Sequence, residues 1–143
     1  MPFDQYDASG LLTVRGLRRT PWRVKTLSLL LEVRRPLSHE QIMRRLEPGA
    51  DRVTIYRSLD AFVRVGLVHR VLVNKRPHLY ETADRCTTDA CHPHFSCRSC
   101  GRTTCMPELA VPRIRGRRNG YVFQRQRVLI EGLCPACAAA GGS

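Results

Sequence analysis

Two C-x-x-C elbows, Cys97 with Cys100 and Cys134 with Cys137, constrain this 143-residue chain more than any other feature. Each elbow presents two thiols from one tight turn, and two elbows supply the four ligands of a closed tetrahedral zinc site with little backbone strain. A surface thiol pair would explain one elbow; it does not explain two. A metal held by all four thiolates ties the start of a segment of roughly sixty residues to its end, and a segment of that size with few aromatics needs such a staple.

The chain has seven cysteines, an odd number that cannot all pair internally. Its opening, MPFDQYDASG, has neither a basic start nor an apolar signal core, and no apolar run reaches the roughly eighteen residues of a membrane span. A cytoplasmic protein is expected, in which cysteines act as thiols and metal ligands rather than disulfides. Lys and Arg exceed Asp and Glu by 24 to 12, a formal charge of +12 that favours a polyanionic partner such as nucleic acid over a membrane or an acidic-surface role. The excess runs through both halves, so charge alone does not locate a binding face.

The first half reads as three helices and a ribbon. Thr20-Pro21 opens a helix on which Val24, Leu27 and Leu31 fall on one face. Ser38 and Gln41 form a capping box for a second, flanked by Leu37 and Ile42 at staple spacing. A third helix starts from an Asp51 cap, carries Ile55, Leu59, Phe62 and Val63 at helical spacing, and stops at Gly66. LVHRVLV and HLYE, separated by NKRP, then read as two strands around a polar turn. This pattern predicts a winged helix-turn-helix over residues 1–83, with the third helix in the DNA major groove. Thr54, Tyr56 and Arg57 lie off its apolar stripe, Tyr56 and Arg57 being the expected groove residues. Arg23, Arg52 and Arg76 are expected on phosphates. The plainer alternatives are a partly buried core tyrosine and a solvated basic face.

The second half, residues 84–143, holds more donors than one zinc can use. In CHPHFSCRSCG an extended chain points His92 and His94 to one side and Cys97 to the other, because side chains alternate with period two. The two histidines therefore belong to polar surface or to a second site. Donors available to such a site are Cys86, Cys91 and Cys105, together with His69 and Glu81 of the ribbon.

The succession TPWRVKTLSLLLE, LSHEQIMRRL, VTIYRSLDAFVRVGLVHR, LYE, HPHFSCRSCG and GLCPAC resembles the ferric uptake regulator family from about Gly16 to Cys137. The resemblance implies an α+β protein, a winged-helix domain followed by a small zinc-stapled α/β dimerisation domain. It implies a homodimeric metal-responsive transcription factor, usually a repressor, that binds an operator in double-stranded DNA and is not an enzyme. The structural zinc falls on Cys97, Cys100, Cys134 and Cys137, and a regulatory metal on His69, Glu81, His92, His94 and Cys105. Cys105 stands where the family pattern has glutamate, and a thiolate there favours Zn(II) over Fe(II) or Mn(II), so the zinc-uptake branch is expected. A further family metal site loses its ligands to Pro93, Pro112 and Gln126, which leaves two zinc ions per protomer. The family's helix over residues 106–119 is expected to be short or absent, because Pro107 and Pro112 interrupt it.

Four alternatives stand beside this reading. Cys86, Cys91 and Cys105 would be the oxidisable thiols of a redox or peroxide sensor, and an iron or manganese sensor would share the same frame. A nucleic-acid deaminase needs a glutamate in H-x-E before P-C-x-x-C, and the sequence has H-P-H instead. A passive zinc-ribbon module would not need the winged helix.

Overall fold

The computed structural model describes residues 3, 6–71, 78–83 and 92–141. The chain divides into two compact units, Met1–Asp84 and Arg85–Ser143.

Among the described residues the first unit has four helices where periodicity announces three. The additional one, α1 (Ala8–Val14), is short and glycine-containing, and its buried apolar face is only Ala8, Leu11 and Leu12. Its one local signal is Asp7, whose carboxylate accepts from Gly10 N at 2.7 Å and so satisfies an orphan amide of the first turn. The next helix, α2 (Pro21–Val33), begins as expected at Thr20, which accepts from Arg23 N. Its buried face differs from the expected stripe: Thr26, Leu27 and Leu30 are enclosed, while Val24 and Leu31 are only partly covered. The reason is tertiary. This helix packs against α1, two later helices and a strand, so no single seam defines its inside.

β1 (Leu37–Ser38) leads directly into α3 (His39–Arg45). Both halves of the capping box form, Gln41 N to Ser38 Oγ at 3.1 Å and Ser38 N to Gln41 Oε1 at 2.9 Å. Leu37 and Ile42 are fully buried on either side. Ser38→Ala removes the acceptor and leaves the Gln41 amide unpaired, an expected loss of about 1 kcal/mol. A urea midpoint that moves at constant slope checks it.

α4 (Arg52–Arg64) starts from Asp51, which accepts from Thr54 N and from the Thr54 hydroxyl, both at 2.8 Å. Ile55, Leu59 and Phe62 are completely enclosed and Val63 partly, and the chain leaves the helix at Gly66 with φ +74°. β2 (Val68–Val71) and β3 (Leu79–Thr82) form the antiparallel wing, and β3 also pairs with β1. The expected turn, Asn74 to Pro77, lies outside the described residues.

In the second unit β4 (His94–Cys97) runs antiparallel to β5 (Thr103–Cys105) and parallel to β8 (Leu129–Gly132). A separate hairpin, β6 (Gly116–Arg118) with β7 (Tyr121–Phe123), turns at Asn119-Gly120. Both turn residues have positive φ, 50° and 84°, the backbone of a primed two-residue turn that asparagine and glycine favour. No residue of 106–119 is helical. The last element, α5 (Pro135–Ala139), starts at Cys134. Among the described residues no helix is long and apolar enough to cross a membrane.

Candidate metal centres and nucleic-acid interface

The two elbows lie 34 residues apart, and strand register brings them together. β8 runs beside β4 with Gly132 opposite Cys97, so both strands end at the same level and each releases a cysteine turn. Arg98 N donates to Gly132 O at 2.8 Å and Cys134 N to Cys97 Sγ at 3.4 Å, which joins the elbows directly. The first elbow closes on itself: Gly101 N donates to Cys97 O, and Cys97 N to Arg102 O, each at 2.9 Å. All four Sγ atoms lie within 4.8 Å of one another, with Cys100 and Cys134 at 3.8 Å. A tetrahedron with zinc–sulfur bonds of about 2.3 Å has edges of about 3.8 Å. The donor set fits that metal.

Local electrostatics prepare the same site. The backbone amide of Cys100, helped by that of Cys134, holds the Cys97 thiol down at about 6. The Cys137 amide lowers Cys134, which sits at the start of α5. Cys137 goes the other way: Ser99 pulls it down, but the Cys134, Cys100 and Cys97 sulfurs together push it up to about 11. Four thiolates this close repel one another, so the last proton leaves readily only when a cation takes its place.

The second unit assembles another donor group from its own strands. His94 lies opposite Cys105 across the β4–β5 ladder, and His92 precedes it by two positions. The two imidazole rings are 4.6 Å apart, and one ligand atom from each of His92, His94 and Cys105 falls within a 4.8 Å span. His94 is buried. In the first unit, His69 and Glu81 face each other across the wing, with Nε2 and Oε1 at 2.8 Å. Glu81 is buried as well. Cys86 and Cys91 lie outside the described residues.

The predicted DNA face is built on α4. Tyr56 is 43% exposed and so partly covered, and Arg52 and Arg57 are exposed beside it. Thr54 spends its hydroxyl on the Asp51 cap. Arg23 is half-buried and donates to Arg18 O at 3.3 Å. Arg76 lies outside the described residues. Sequence reasoning missed His39. Its ring stacks on Tyr56 with centroids 3.7 Å apart and planes 8° from parallel, while Nε2 donates to Arg52 O at 3.1 Å. Burial lowers its pKa, more than the Arg52 carbonyl raises it, so the ring is neutral at pH 7. His39 thus sets the position of Tyr56 and of the first turn of α4. Its signal appears only once α3 packs on α4.

The fold and site together define a two-unit protein, with a winged helix in the first unit and, in the second, thiol and imidazole donors spaced to hold a metal ion. The ferric uptake regulator family pattern matches residues 14–127, and the chain belongs to that family. It is 26% identical to the zinc uptake regulation protein of Escherichia coli strain K12 over 137 positions, covering 92% of this chain and 79% of that one. A zinc uptake regulator solved with zinc and DNA superimposes with a TM-score of 0.60 at 23% identity, covering 92% of this chain and 90% of that one. The ferric uptake regulator of Pseudomonas aeruginosa, solved with manganese, gives a TM-score of 0.63 at 23% identity, with 91% and 99% covered.

Proposed function

We propose that this protein is a zinc-responsive, homodimeric repressor of metal-uptake genes that works in the cytoplasm. The carrying observation is the His92, His94 and Cys105 group: imidazole nitrogen beside thiolate sulfur is a donor set that suits Zn(II) better than the harder Fe(II) or Mn(II). Two zinc ions per protomer are assigned. One is structural, on Cys97, Cys100, Cys134 and Cys137; the other is regulatory, on His69, Glu81, His92, His94 and Cys105.

Within the first unit His69 lies against Glu81, and within the second His94 lies across the strand ladder from Cys105 with His92 two positions before it. A metal that takes ligands from both units binds best to the arrangement that satisfies both groups, and so shifts the population towards it. In that arrangement Tyr56 and Arg57 enter the major groove, with Thr54 beside them on the same helix, while Arg23, Arg52 and Arg76 hold the backbone. Four thiolates leave a structural zinc no open coordination position, which argues for a switch rather than an enzyme.

The test is fluorescence anisotropy on duplex DNA from upstream of the protein's own gene, in a buffered series of free zinc with Fe(II) and Mn(II) in parallel. Binding should appear as zinc rises, and Cys105→Ser and His94→Ala should each move the zinc midpoint at least about tenfold higher. Variants that retain the wild-type midpoint sink the regulatory assignment.

A further inference from the structure

The second unit has nine basic residues, and six of them, Arg113, Arg115, Arg117, Arg118, Arg125 and Arg127, crowd into one stretch. From Leu109 to Ile130 there is no acidic residue at all. This stretch forms the β6–β7 hairpin and its two flanks, and all six arginines are exposed. Among the described residues none of them enters an ion pair, whereas the first unit pairs Lys25 with Glu47, Arg44 with Glu40 and Arg70 with Asp60. An unneutralised cluster of this density costs self-repulsion, and the cost is recovered only by an anionic partner.

The flanks are held in a defined shape. Gln126 spans them: its Oε1 accepts from Ile114 N and its Nε2 donates to Pro112 O, both at 2.8 Å. Between the braced strands lies a cleft of about 230 Å³ lined by Arg113, Arg115, Arg125, Phe123, Gln124 and Gln126. Three guanidinium groups and two amides with no carboxylate make an anion-binding lining. Arg117 and Arg118 lie on β6 and Arg127 on the flank after β7, none of them lining the cleft, so the surface suits a row of anions better than a single one.

We propose that the β6–β7 hairpin is a second DNA contact, a sequence-independent clamp on the phosphodiester backbone of the duplex that α4 reads. This deepens the DNA-binding assignment and rests on it. Duplex DNA is favoured over a second copy of the chain because a two-fold contact through this surface sets six arginines against six with no carboxylate on either side. Each guanidinium that meets a phosphate releases condensed counterions, so the hairpin contributes affinity, salt dependence and no sequence preference.

The test compares the zinc-loaded wild type with Arg113→Gln/Arg115→Gln/Arg125→Gln on two duplexes of equal length, one from upstream of the gene and one unrelated, at several salt concentrations. All three side chains are exposed, so the variant should fold and retain its zinc. Expected is a slope of log affinity against log salt that is shallower by about 2 to 3, roughly one per lost phosphate contact, with equal weakening on both duplexes. Arg→Lys at the same positions should restore most of the slope. An unchanged slope, or a variant that loses DNA affinity only in step with loss of the dimer in sedimentation, overturns the proposal. Wild type that binds both duplexes equally and ignores zinc, with the variant still weaker, would retain the hairpin and remove the zinc-repressor reading. A wild type that binds neither duplex would remove both.

Discussion

Cys134→Ser is expected to leave the protein with one zinc fewer per protomer and to melt the second unit while the first stays folded. Cys134 is buried, begins α5, and touches the opposite elbow through both its amide and its sulfur. Little else could hold this unit. Among the described residues its enclosed apolar side chains are Pro93, Cys97 and Cys134; Phe95, Leu129, Ile130 and Leu133 are half-buried, and Leu109, Val111, Ile114, Tyr121, Val122 and Phe123 are exposed. Structural zinc in small domains binds with about 10–16 kcal/mol at neutral pH, far more than a core of this size can supply. Metal content after dialysis should fall by one, and amide exchange over residues 94–105 and 129–132 should lose its protection while α2 and α4 retain theirs. A variant with wild-type zinc content and protection would show that the four thiols do not staple the unit.

Phe62→Ala should do the converse. Phe62 is the largest fully enclosed side chain, on the inner face of the helix whose outer face carries Tyr56 and Arg57. Truncating a buried phenylalanine costs about 3–5 kcal/mol, against a total stability of about 5–15 kcal/mol for a domain. The denaturant midpoint of the first unit should fall steeply and DNA affinity with it, because the helix that carries this core face also carries the proposed groove residues. Zinc content should stay at the wild-type value. Tyr56→Phe on the opposite face is the control, with stability expected to change by less than about 0.5 kcal/mol. A large loss of DNA binding in that variant would come from the hydroxyl and not from the fold.

Local chemistry was legible wherever a side chain acts on its own backbone or on its near neighbours. Thr20, Ser38 with Gln41, and Asp51 cap their helices as their types and spacing dictate, and Gly66 ends α4 with positive φ. The elbows and the alternation of His92, His94 and Cys97 likewise follow from spacing over a few residues. So did the absence of helix over 106–119, where prolines break the pattern. The faces were legible in part. α4 buries Ile55, Leu59 and Phe62 as its spacing dictates, and Val24, Leu27 and Leu31 of α2 do meet the core, but α2 is covered on several sides, so Thr26 and Leu30 are enclosed more fully than Val24 and Leu31; α1 is too short to show a period.

The sequence by itself determined which residues could ligate a metal, where the first unit's three main helices begin, and that the chain carries a large positive charge. Only the tertiary structure decided which of those residues meet. The parallel register of β8 on β4 places Cys134 against Cys97, the antiparallel register of β5 on β4 sets Cys105 opposite His94, and the packing of α3 on α4 seats His39 under Tyr56. The physical reason is that capping and turn preferences act over three or four residues, whereas register is chosen by burial summed over a whole strand.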